Sequence, residues 1–124
     1  MHSLNELKDI THFLLEYANR LMGSGVHTSR VVRNTCRIGH SLDVETNVCV
    51  LQRNLIVSVR DTESHEVYNE MAAIPAFPIS FELNAELSAL SWDAYDNRLP
   101  LADLRKKYAE IIARPKMDPL CTLF

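Results

Sequence analysis

Along the first part of the chain, Leu7, Ile10, Leu14, Tyr17, Ala18 and Leu21 recur at steps of three and four. That spacing puts them on one face of a helix over residues 5–22. Gly23 and Gly25 close it, because glycine readily takes the left-handed conformation that ends helices. A second, more weakly patterned helix is predicted over residues 27–40, with Val31, Thr35 and Ile38 inward and Arg30, Arg33 and Arg37 largely outward. The period then changes from 3.6 to 2. "VETNVCVLQ" and "NLIVSVRD" are rich in β-branched residues and meet at a polar turn around residues 52–54, which predicts a hairpin. Val44, Thr46, Val48 and Val50 share one face of its first strand, and Leu55, Val57 and Val59 one face of its second. A third strand, "HEVYNEMAAI", follows the charged turn "DTES". Links this short permit only antiparallel pairing, since a parallel return needs a crossover of about a dozen residues.

The two prolines of "PAFPIS" cannot join a regular ladder and predict a loop. Ser80 then caps a helix over residues 81–97, with Leu83, Leu87, Leu90 and Ala94 as its apolar face. Pro100 breaks the chain, and a last helix, "LADLRKKYAEIIA", runs to the stop at Pro115. The expected fold is α+β: two N-terminal helices, a three-stranded antiparallel sheet and two C-terminal helices, ααβββαα.

The 124 residues fit one domain, and 47% apolar with 23% charged residues is the balance of a folded soluble protein. A net charge of −3 gives no reason to expect nucleic acid as a partner, because counterion release needs a concentrated basic surface. Cys36, Cys49 and Cys121 contain no CxxC pair and are expected to be reduced, mostly buried thiols in a cytosolic setting. No basic segment followed by an apolar run marks a secretory signal. The chain finishes on "PLCTLF", behind Arg114 and Lys116. Composition leaves two readings, an irregular terminus or the first residues of a membrane helix flanked by cations.

Candidate chemistry is sparse. His12, His27, His40 and His65 with Cys36 and Cys49 lack the spacing that preorganises zinc ligands, so neither a metal nor another cofactor is expected. Asp61, Glu63, His65 and Glu66 read as a solvated hairpin tip. Arg105, Lys106 and Lys107 read as the wet face of the last helix. The stretch "LMGSGVHTSRVV" offers more. Ser24, Gly25, His27, Thr28 and Arg30 surround the start of the second helix, where unpaired amides can receive a carboxylate or phosphate. A glycine-closed helix followed by a Thr-capped one is also how a plain helical hairpin is built. Ser24 or Cys36 as nucleophile with His27 or His40 as base would instead make a small hydrolase. A structural dimerisation module, marked by exposed apolar surface on the third or fourth helix, is a third reading.

The ordered combination of "SGVHTSRV", "LIVSVRD" and "LNAELSALSWDAYDNRLPLADLRKKYAEI" resembles the N-terminal cytoplasmic domain of the threonine/serine exporter family, from about Ile10 to Ile112. The motifs that carry the resemblance are Ser24, Gly25, Thr28, Arg30 and Val31, the strand Val57, Ser58 and Val59, and Asn84 opening "LNAELSALS". The resemblance implies a cytosolic domain, residues 1–117, on the inner face of the plasma membrane, acting as gate, sensor or assembly domain. Residues 118–124 would begin a transmembrane segment. It implies a small amino acid or dicarboxylate as solute, a transmembrane part in the same chain or a partner subunit, and self-association as an option. The ligand set would be Ser24, Gly25, His27, Thr28, Arg30 and Asn84, with no catalytic residue carried over. Val32 and the "QRN" turn depart from the family pattern.

Overall fold

The computed structural model describes residues 3–114. The expected tail segment, 118–124, lies outside the described residues, as does Cys121. The elements are α1 (Leu4–Gly23), α2 (Thr28–Ser41), β1 (Val44–Leu51), β2 (Asn54–Asp61), β3 (Val67–Ala73), α3 (Phe81–Asn97) and α4 (Leu101–Ala113), in the predicted ααβββαα order.

The sheet has the order β1-β2-β3 and is antiparallel throughout. Val48 faces Val57, and Val59 lies between Thr46 and Tyr68, so the β-branched alternation turns one set of side chains to a single side. α1 packs on β2 and β3 and α2 on β1, so the two helices cover that side and bury Leu55, Val57 and Val59 completely. α3 lies along α2, and α4 along α3. Both reach back to α1: the Tyr17 hydroxyl donates to the Leu87 carbonyl at 2.5 Å, and the Phe13 and Tyr108 rings meet edge to face at 5.7 Å between centroids.

The other side of the sheet has no covering layer among the described residues, and this corrects the reading of Cys49. Its β-branched surroundings suggest burial, but it falls on the uncovered side and is exposed, while Cys36 is half-buried. The β2–β3 turn corrects a second expectation. Glu63, His65 and Glu66 are exposed as predicted, but Asp61 is 1% exposed. Its carboxylate accepts from the Glu63 amide and the Ser64 hydroxyl, both at 3.1 Å. A buried carboxylate survives only with such donors. The turn also takes up His65 and Glu66, which shortens the predicted third strand at its start.

Candidate functional site

The α1–α2 turn is built by backbone hydrogen bonds. Ser24 is the C-cap; the Gly25 amide donates to the Met22 carbonyl and the Val26 amide to the Leu21 carbonyl, both at 3.1 Å. This paired pattern with a left-handed residue is the Schellman motif, and Gly25 supplies the φ of +84° that it needs. The loop between β3 and α3 lies across the turn. The Phe77 amide donates to the Gly23 carbonyl at 2.9 Å, and a Cβ on Gly23 would collide with the Pro75 carbonyl and the Phe77 ring. A Cβ on Gly25 would stand 3.4 Å from Ile79. The loop therefore delivers the start of α3 beside the start of α2.

Each expected site residue has a definite place. Ser24 is fully buried, and its hydroxyl has no hydrogen-bond partner among the described residues. His27, not Thr28, is the N-cap of α2: its Nδ1 accepts from the Ser29 amide at 3.2 Å, and Thr28 is the first helical residue, exposed. The Arg30 and Val31 amides donate to the His27 carbonyl. Most of the first-turn amides are thus already used, so the donors left to a ligand are side chains. Arg30 is exposed and has no ion-pair partner among the described residues. Asn84 stands one turn into α3, its amide on the Ser80 carbonyl at 3.0 Å, and its buried side-chain oxygen has no partner among the described residues. Ser24 through Arg30 form one contiguous turn. Asn84 belongs to the neighbouring helix start.

The nucleophile–base pairs of a hydrolase do not form. His27 Nδ1 engages the Ser29 hydroxyl at 2.9 Å, and His40 stacks on Tyr95 with centroids 5.6 Å apart. Cys36 donates its thiol to the Thr46 carbonyl at 3.4 Å, and burial pushes its pKa up, which disfavours the thiolate. Among the described residues, no group of three or more His, Cys, Asp and Glu is placed to hold a metal ion.

Sequence reasoning missed a polar seam between α2 and α3. Arg37, expected largely outward, is half-buried. It donates to the Asn34 side-chain oxygen at 3.0 Å and to the Ser91 hydroxyl at 2.8 Å, and its guanidinium lies 3.6 Å over the Trp92 ring. Asn34 and Arg37 are three apart on one helix and therefore neighbours, the one local signal available. Next to the seam, burial pushes the Tyr17 hydroxyl upward in pKa, while Ser91, Arg37, Asn34 and Arg30 pull it the other way.

The family model described as "Putative threonine/serine exporter" matches residues 12–124. The chain belongs to that family. No curated protein and no solved structure matches the chain. The matched span includes the α1–α2 turn, which the fold places against the proline loop. Among the described residues no helix is long and apolar enough to cross a membrane, so what is described of this exporter-family chain is an α+β unit rather than a bundle of spanning helices.

Proposed function

We propose that this unit serves a threonine/serine exporter as a cytosolic sensor domain, binding a small carboxylate-bearing solute where the α1–α2 turn meets the start of α3. Serine, threonine and a small dicarboxylate share a carboxylate that one guanidinium can hold through two parallel hydrogen bonds. Arg30 is the residue for that role, free of any described acid and next to the only turn in which Ser24, Thr28 and His27 lie together. The observation that carries the reading is that two of the eight buried polar side-chain atoms without a partner among the described residues, the Ser24 hydroxyl and the Asn84 side-chain oxygen, belong to the α1–α2 turn and to the start of α3. Buried polar groups without partners cost about 1–3 kcal/mol each, and a ligand hydroxyl or ammonium that reached them would recover part of it.

A ligand that binds only the folded chain must raise its unfolding temperature. Serine, threonine and succinate, each titrated into the millimolar range, are expected to raise Tm for the unaltered chain and to leave it unchanged for Arg30→Gln. A rise that Arg30→Gln reproduces in full would remove the site. No rise with any of the three would remove the sensor role.

A further inference from the structure

The outward side of α2 and α3 extends past the α1–α2 turn, with Arg30 at its edge. α2 carries Arg30, Arg33 and Arg37 and not one Asp or Glu, although the chain as a whole has a net charge of −3. Three- and four-residue steps place the arginines along one side of the helix. Neither Arg30 nor Arg33 has an ion-pair partner among the described residues, and both are exposed. Of the four acids on the adjoining α3, Glu86 pairs with Arg114 and Asp93 with Lys107, both at 3.1 Å, while Glu82 and Asp96 are exposed near the same face. α2 itself contributes only positive charge to this flank.

Beside that row α3 shows Phe81, Trp92 and Tyr95, which are 83%, 50% and 45% exposed. Their spacing keeps them on one side of the helix. The two rows form one surface, because Arg37 lies over the Trp92 ring, His40 stacks on Tyr95, and Trp92 meets Tyr95 edge to face at 6.3 Å. Exposed aromatic rings beside the unpaired Arg30 and Arg33, joined to them through Arg37, match the phospholipid headgroup layer. Tyr and Trp settle there with one end apolar and one end wet, and arginine binds phosphate through its planar fork. The chain belongs to a family of membrane exporters, which brings a bilayer to its side.

We infer that the α2–α3 face, with Arg30, Arg33 and Arg37 beside Phe81, Trp92 and Tyr95, docks on anionic phospholipid headgroups. Each arginine near such a surface is worth about a fivefold gain in partitioning, lost as salt screens it.

Trp92 is the only tryptophan, so its emission reports on this face directly. The 124-residue chain is titrated with phosphatidylcholine vesicles, with and without phosphatidylglycerol. Vesicles containing phosphatidylglycerol are expected to shift Trp92 emission to the blue and to carry the chain down on sedimentation, reversibly with salt; phosphatidylcholine alone does neither. Arg33→Glu, checked for folding by circular dichroism, weakens partitioning on the order of tenfold. Arg53→Glu, the same charge change on the exposed β1–β2 turn, leaves it unchanged. Equal weakening by both variants, or no effect of phosphatidylglycerol, overturns the inference. So does a blue shift with poly-glutamate but not with vesicles, which would assign the face to an acidic protein, or a blue shift with doubled mass in buffer alone, which would assign it to a second copy of this chain. Arg33→Glu leaves the response to serine and threonine intact, so failure here and failure of the solute site are separate results.

Discussion

α2 and α4 are both rich in cations, and the fold uses them in opposite ways. On α4, Arg105 reaches Asp9 of α1 at 3.8 Å, Lys107 reaches Asp93, and the C-capping Arg114 reaches Glu86. On α2 the corresponding groups find no acid among the described residues. The packing differs as well: α4 buries Leu104, Tyr108 and Ile111 chiefly along α3, whereas α2 buries Val31, Ile38 and a set of small polar residues among β1, α1 and α3. A helix packed chiefly along one neighbour is fastened at its rim by charge. A helix held by packing has its charges to spare, and spare charge on a folded surface is available to a partner.

Three substitutions press on this contrast, in falling order of effect. Leu104→Ala removes the fully buried anchor of α4 and is expected to cost about 2–5 kcal/mol in denaturant unfolding, releasing the acids of α3 from their cations. Survival of full stability would mean that charge alone holds α4. Asp93 comes next. The hydrogen bond from Lys107, and then that from Asn97, hold its carboxyl below the ordinary carboxylate range. A depressed folded-state pKa contributes stability above the unfolded value and loses it as pH falls through the folded one. Asp93→Asn should therefore cost about 0–1 kcal/mol at neutral pH, an exposed pair being screened, and the difference from the unaltered chain should start to shrink near about pH 4 and vanish only below the depressed folded-state pKa. A difference that persists in acid would point to packing. Arg33→Gln is the smallest: within about 0.5 kcal/mol of no change by the same unfolding measurement, because no described partner is lost. A larger cost would show that α2 also needs its charge to fold.

Much of the scaffold was legible because local chemistry marks its ends. Ser80 starts α3 and Pro100 separates it from α4, and both helices run over the predicted spans. The strands followed from alternation. What stayed hidden depends on contacts between distant segments. Cys49 lies in a β-branched run that suggests burial, yet it falls on the side of the sheet that no described element covers. Asp61 reads as wet until Glu63 and Ser64 fold back over it. Arg37 is drawn inward by Ser91 and Trp92, far along the chain. His27 took the capping role expected of Thr28 because its ring nitrogen accepts from the Ser29 amide. The glycine turn was visible as a motif. That the proline loop presses on it was not.

That pressure leaves the molecule a point without slack. Pro75 and Phe77 sit so close over Gly23 that not even a methyl group fits between them, and the same loop leads within a few residues to the cap of α3. Any displacement of the last turn of α1 must push the strap, and the strap must carry α3 along. Two ends that are far apart in the sequence are thereby geared together by a missing side chain.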